Sequence, residues 1–307
     1  FLPVKGVGLG RLEFIINEHI RIHPNALIDY GKLKEEGTRD KTKKVLVEKI
    51  DALTKGYQDK TTFYVDELAE GIAKIGAAFY PHEVIIRFSD FKTNEYRTLV
   101  GGDLYEPHEE NPMLGWRGAS RYYDPKFRDA FALECKAMKR VREEVGLKNV
   151  VALIPFCRTP EEGTKVLEVM KAEGLDRAVD STFKVYLMCE IPSNILLMDA
   201  FLDMFDGMSI GSNDLTQLTL GIDRDSDIVS KITNENNDAV KLLIDTIVKR
   251  CKERGKYIGI CGQAPSDFPE FATFLVERGI ESISLSPDTV IKTLFKIAEK
   301  ERELNRV

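Results

Sequence analysis

The run Asp206-Gly207-Met208-Ser209-Ile210-Gly211-Ser212-Asn213-Asp214-Leu215-Thr216-Gln217 sets an amide and a carboxylate side by side just after a short apolar stretch. Asn213 and Asp214 are oxygen donors of the kind that a hard cation such as Mg²⁺ prefers. Gly211 and Ser212 let the backbone turn closely past a ligand. An Asn-Asp pair is also common in turns, so the pair alone is not decisive. The surrounding pattern is more telling, because other apolar runs also end in charged or reactive side chains. Arg11, Arg87 with Asp90, Arg117, Glu190, Cys261 and Ser286 all fall at or just beyond such ends.

Three arginines, two carboxylates and a thiol meeting at one place describe a site for a small polyanion and a divalent metal. The planar fork of arginine binds phosphate or carboxylate through two parallel hydrogen bonds and keeps its charge. Any one arginine could be a strand-end ion pair, Arg87 with Asp90 for example. A carboxylate at Glu190, closing the run Val185-Tyr186-Leu187-Met188-Cys189, is costly unless it is paired or bound to metal. With Asp214 it would leave Mg²⁺ open positions for substrate oxygens and water. The alternative is a structural pair bonded to backbone amides. Cys261 lies in Gly259-Ile260-Cys261-Gly262-Gln263, between glycines expected to leave its thiol unobstructed for proton transfer. Most cysteines are instead buried and inert. His19 and His23 are four apart on a predicted helix, a metal-capable spacing with no third ligand nearby, and read as ordinary helix surface.

These residues need elements to place them. Strands are predicted at Val7 to Leu12, Glu83 to Phe88, Gly115 to Ser120, Val150 to Phe156, Val185 to Ile191, Met208 to Ile210, Tyr257 to Gly262 and Ser282 to Ser286. Helical patterns fall between them, notably Asp66 to Phe79, Lys126 to Val145, Pro160 to Glu173, Asn236 to Arg254 and Asp288 to Arg302, with a solvated helix pair over Lys32 to Lys60. A loop at about 92–112 is long enough to suggest function. Eight βα units without a linker predict one α/β domain over residues 1–307, a closed parallel (β/α)₈ barrel with its site at the carboxyl ends of the strands. The spacing Gly6-x-Gly8-x-Gly10 is wrong for a dinucleotide-binding loop.

The composition is that of an ordinary globular chain of 307 residues, 43% hydrophobic and 31% charged. A formal charge of −6 supplies no basic field for nucleic acid or anionic membrane. Five cysteines without a CxxC pair fit reduced thiols in a cytoplasmic protein. No apolar run approaches the roughly 20 residues needed to span a bilayer. The opening Phe1-Leu2-Pro3 does not read as a natural start and suggests a fragment.

Taken together, Gly6-Val7-Gly8-Leu9-Gly10-Arg11-Leu12-Glu13-Phe14, Ile85-Ile86-Arg87-Phe88-Ser89-Asp90, Glu110-Asn111-Pro112-Met113-Leu114-Gly115-Trp116-Arg117-Gly118, Cys189-Glu190-Ile191-Pro192-Ser193-Asn194, Ser209 to Gln217 and Ile260-Cys261-Gly262-Gln263 resemble, in order, the C-terminal barrel of the phosphoenolpyruvate-utilising enzymes. Arg11-Leu12-Glu13-Phe14 and the Cys-Glu-Ile-Pro-Ser-Asn run look most like the branch in which water is the second phosphoryl acceptor. The resemblance implies conversion of ATP, pyruvate and water to AMP, phosphoenolpyruvate and phosphate, through a phosphohistidine on a swivelling domain of a homo-oligomeric parent. It implies that Arg11, Arg87 and Arg117 hold phosphate and carboxylate, that Glu190 and Asp214 hold Mg²⁺ or Mn²⁺, and that Asn213, with Gly211 and Ser212, contacts the ligand. Cys261 would exchange a proton with the methylene carbon, and Arg224 matches a further arginine at the mouth. None of His19, His23, His82 and His108 has the family's phosphohistidine context, so the nucleotide-binding and phosphocarrier domains are expected outside this chain. The rival readings are a Mg²⁺-dependent pyruvate-enolate aldolase, which would need an aldehyde site, and a non-catalytic oligomerisation core.

Overall fold

A computed structural model of the chain describes residues 3–223, 226, 228–229 and 234–305. Seven strands are found among them: β1 (Val7–Arg11), β2 (Val84–Arg87), β3 (Val150–Ile154), β4 (Val185–Cys189), β5 (Gly207–Ile210), β6 (Tyr257–Ile260) and β7 (Ser282–Ile283). They form one parallel sheet in chain order. The sheet curls until its two edges approach, since a Cβ on Gly8 of β1 would lie 2.8 Å from Cβ of Ser284, just past β7. The fold is therefore an α/β barrel of the expected type, nearly closed.

β3, β4 and β5 are buried along their whole length, as strands covered on both sides must be. Alternate residues of a strand face opposite sides, and two apolar clusters follow from that alternation. Ile85, Val151, Leu153, Tyr186 and Met188 form the smaller one, with Leu9, Tyr257 and Cys261 packed against it. The other parity, including Val84, Ile86, Ala152, Ile154, Leu187, Met208 and Ile258, joins the large core shared with the helices.

The helices begin where the sequence supplies side-chain caps. Asp40 accepts from the backbone N–H groups of Thr42 and Lys43 and opens Lys41–Leu53. Asp59 accepts from Thr61 and starts the next helix at Lys60, earlier than the apolar periodicity alone predicts. Thr159 and Asn237 cap Pro160–Ala172 and Asp238–Glu253 in the same way. Among the described residues no helix is long and apolar enough to cross a membrane.

Two expectations are corrected. Residues 115–120 are not an eighth strand, because β2 pairs directly with β3 along Val84↔Val150 to Arg87↔Leu153 and leaves no place between them. That segment instead crosses the end of β3. The Trp116 N–H donates to the Glu109 carboxylate, the Ala119 N–H donates to the Pro155 carbonyl at 3.0 Å, and Ala119–Tyr122 is helical. Gly118, at φ +56°, permits the crossing, since a Cβ there would lie 2.6 Å from the Pro155 oxygen. His23 is likewise not on a helix surface. It is fully buried, 3.0 Å from Glu106 Oε1 and stacked on Tyr105, and burial lowers its pKa despite the Glu106 carboxylate.

Candidate active site at the barrel mouth

In β1, β2, β4 and β6 the inward-facing row starts apolar and ends polar. Leu9 is followed by Arg11, Ile85 by Arg87, Tyr186 and Met188 by Glu190, and Tyr257 and Gly259 by Cys261. Arg11 and Arg87 are register partners across β1 and β2. The alternation that fills the barrel with apolar side chains thus delivers two arginines, a carboxylate and a thiol to one rim.

Arg87 donates through Nη2 to Glu13 Oε1 at 2.6 Å, and the same oxygen accepts from the Asp90 N–H at 2.7 Å. Arg117 grips Asp90 with both arms, Nε to Oδ1 at 3.0 Å and Nη2 to Oδ2 at 2.6 Å. Its Nη1 lies 3.4 Å from Asp214 Oδ1. The ion pair of Arg87 with Asp90, at 3.6 Å, is the weaker contact of each residue. Both guanidinium groups are therefore held by carboxylates behind them, which fixes their planes in advance. Arg87 Nε is buried without a hydrogen-bond partner. Arg11 is exposed at the rim, with its guanidinium 4.2 Å from the Phe14 ring centre.

Glu190 is fully buried. Its Oε1 accepts from the Phe156 N–H at 2.7 Å, whereas Oε2 has no hydrogen-bond partner. Burial, with the negative charges of Asp214 and Asp90, pushes its pKa well above the usual carboxylate range against the pull of Arg117 and Arg87. Asp90, by contrast, is pushed up by burial but held below that range by Arg117 and Arg87. Among the described residues, the carboxylates of Glu13, Asp90, Glu190 and Asp214 gather around the buried guanidinium groups of Arg87 and Arg117.

Buried carboxylates in this number are the kind of group that a divalent cation would balance. The donor set fits one. Glu190 offers an unpaired oxygen, Asp214 is its neighbour in charge, and Gly211 leaves the approach clear, because a Cβ there would lie 2.8 Å from Glu190 Oε2. Among the described residues no group of three or more His, Cys, Asp or Glu forms a metal cluster. The remaining positions would thus belong to substrate and water, as is usual for catalytic Mg²⁺.

Asn213 Oδ1 accepts from the Gln263 N–H at 2.9 Å and ties the start of the helix Ser212–Leu220 to the end of β6, which leaves the amide nitrogen and the second lone pair of the oxygen for a ligand. Ser212 is buried beneath it, with Oγ 3.4 Å from Glu235 Oε2. Gly262 is required by this packing, since a Cβ there would meet Ser212 Oγ at 1.7 Å. The glycine beside Cys261 is thus needed for close packing against Ser212. Arg224 lies outside the described residues.

Cys261 alone among the five cysteines is partly exposed. Burial and the Glu190 charge push its thiol up to about 11, while Ser209, Arg87 and Arg11 oppose the shift. The group is therefore a thiol at neutral pH. Alkylation by iodoacetamide, which requires the thiolate, should rise roughly tenfold per pH unit from about pH 7 to pH 10. A rate that levels off below pH 9 would contradict this environment.

Three supporting residues were not singled out from sequence. Asn194 accepts from the N–H groups of Glu190 and Ile191 and donates to the Cys157 carbonyl, which locks the turn after β4. Glu13 anchors Arg87. Glu134, fully buried on the helix Arg128–Glu143, accepts from the backbone and hydroxyl of Ser89 and is raised to about 7 by burial, against the pull of those bonds. Its signal was available as a carboxylate at an apolar-face position, three residues after Phe131.

The family description "PEP-utilising enzyme, PEP-binding domain" matches residues 2–302. Among curated relatives, the phosphoenolpyruvate synthase of Aquifex aeolicus is 53% identical over 99% of this chain and 40% of its own length. That of Synechocystis sp. is 56% identical over 98% of this chain and 36% of its own length. The Escherichia coli enzyme of the same name is 53% identical over 97% and 36%. The chain spans about two fifths of the length of these relatives, or less.

Proposed function

The chain belongs to the PEP-utilising enzymes through their PEP-binding domain, and on that premise we propose that residues 1–307 are one domain whose mouth binds phosphoenolpyruvate and pyruvate with Mg²⁺ or Mn²⁺. The phosphoryl group would pass between the pyruvate enolate and a phosphohistidine on another domain of a longer parent, in the synthesis of phosphoenolpyruvate from ATP, pyruvate and water. The observation that carries this reading is the unpartnered, buried Oε2 of Glu190, set beside Asp214 and between two prearranged guanidinium groups.

Glu190 and Asp214 would hold the metal, which when bound supplies Lewis-acid stabilisation of charge on the enolate oxygen. Arg117 and Arg87, with their planes fixed by Asp90 and Glu13, bind and orient the phosphate and carboxylate, and Arg11 adds charge at the rim. Asn213 contacts the ligand through its amide nitrogen. Cys261 acts at the methylene carbon. In the direction of pyruvate its S–H bond breaks as the C–H bond forms, and the thiolate left behind is stabilised by Arg87 and Arg11. In the direction of phosphoenolpyruvate the thiolate takes that proton back.

Arg87→Lys tests the binding half of the reading. A point charge cannot reproduce a two-armed contact from a guanidinium already anchored to Glu13. Phosphoenolpyruvate binding should weaken by about 2 kcal/mol, the scale of one desolvated charged hydrogen bond, whereas Lys139→Ala on the barrel surface should have no effect. An unchanged dissociation constant by calorimetry would reduce Arg87 to a structural ion pair.

A further inference from the structure

We propose that Phe156 and Arg158, just past the end of β3, are positioning residues that couple the metal carboxylate to the anion-binding arginine. The inference rests on the reading of the site given above and adds two residues to it. Phe156 touches both halves of the site. Its backbone N–H donates to Glu190 Oε1 at 2.7 Å. Its ring centre lies 4.0 Å from the guanidinium carbon of Arg117 and 4.8 Å from that of Arg158.

The backbone conformation supports a purpose. Phe156 adopts φ +47°, which a residue with a bulky side chain rarely holds unless its surroundings impose it. Here they do. The Asn194 amide donates to the Cys157 carbonyl at 2.8 Å, the Ser193 hydroxyl donates to the Arg158 carbonyl at 2.7 Å, and the Arg158 N–H donates to Glu162 at 2.7 Å. With the N–H held on Glu190, the positive φ swings the side chain so that the ring lies against Arg117.

Arg158 closes the arrangement from the other side of the sequence. Its Nη2 donates to the carbonyl of Gly115 and lies 3.4 Å from that of Leu114, in the segment that delivers Trp116 and Arg117 to the mouth. It therefore holds the carrier of Arg117 while packing on the ring that Arg117 faces. A flat aromatic face restricts a guanidinium to a parallel plane, so Phe156 backs the plane in which Asp90 grips Arg117.

The test uses the 307-residue chain, with Mn²⁺ binding alone followed by water-proton relaxation and phosphoenolpyruvate binding at saturating Mn²⁺ followed by calorimetry. Phe156→Leu keeps the amide and loses the ring. Its Mn²⁺ affinity should stay within roughly twofold, and its phosphoenolpyruvate dissociation constant should rise by roughly tenfold, the scale of a buried cation–π contact. Arg158→Gln, at a partly exposed side chain, should weaken phosphoenolpyruvate in the same direction by roughly threefold or more with Mn²⁺ binding again unmoved. Should Phe156→Leu not fold, Arg158→Gln decides alone. Parental phosphoenolpyruvate affinity in Arg158→Gln overturns the proposal, as does a parallel loss of Mn²⁺ and phosphoenolpyruvate affinity, which is the mark of general packing damage. Arg117→Lys is the reference. If it binds phosphoenolpyruvate like the parent, the functional reading fails and this proposal with it. If it is weakened while the other two variants are not, only the positioning role falls.

Discussion

Cys261→Ala is expected to slow the pyruvate half-reaction by about 10²–10⁴-fold, the usual contribution of a placed general acid or base. The experiment belongs in the longer parent proposed above, where phosphorylation of a carrier histidine by ATP would be followed separately and should be untouched. Cys261 is the candidate because its thiol ends an inward-facing strand row, is partly exposed at the mouth, and is held protonated by its surroundings, up to about 11. That state suits a donor to the methylene carbon, and the nearby charges of Arg87 and Arg11 suit the thiolate that results. Cys251→Ala, at a buried position on the helix Asp238–Glu253, is the control and should leave the half-reaction near its parental rate. Parental transfer of phosphate to pyruvate by Cys261→Ala would show that the thiol only packs against Met188 and its neighbours.

Glu190→Gln should act on binding rather than on rate. The amide preserves shape and can still accept from the Phe156 N–H, so the fold should persist. With one of several facing carboxylates neutralised, its unfolding midpoint should equal or exceed that of the parent. The loss should appear in metal binding, because one of only two carboxylate ligands is gone. Mn²⁺ affinity should fall by at least about 10²-fold, on the scale of a desolvated charge interaction. The Glu190→Gln protein is thus expected to be stable and unable to bind metal; retained Mn²⁺ affinity would move the metal away from this carboxylate.

Most of this site was legible from sequence because of period-two alternation. Arg11, Arg87, Glu190 and Cys261 end apolar runs, and in a parallel barrel that places them on one rim without knowledge of the contacts. Arg117 was placed by the same rule, at the end of an expected strand over Gly115 to Ser120, and that strand is absent. The segment carrying it obeys turn chemistry at Gly118 and a hydrogen bond to Pro155, neither of which has a periodic signature. The partners that fix the arginines were harder to see. Glu13 pairs with Arg87 across 74 residues and Asp90 with Arg117 across 27, and the nearer and more obvious pair, Arg87 with Asp90, proved the weaker contact. Phe156 could not have been singled out, since an apolar residue at a strand end reads as core and only its left-handed backbone marks it as different. His23 misled in the opposite sense: a helical spacing suggested surface, whereas long-range stacking on Tyr105 and a bond to Glu106 bury it.

The central claim is that the carboxylate-rich mouth takes up phosphoenolpyruvate only together with a divalent cation. Titration of the 307-residue chain with phosphoenolpyruvate by calorimetry, once with Mg²⁺ in excess and once with excess chelator, tests it most directly. Saturable one-site binding is expected with Mg²⁺ and none with chelator, because without the cation the ligand's own negative charges meet Glu190, Asp214 and Asp90. Equal affinity in the two titrations would contradict it.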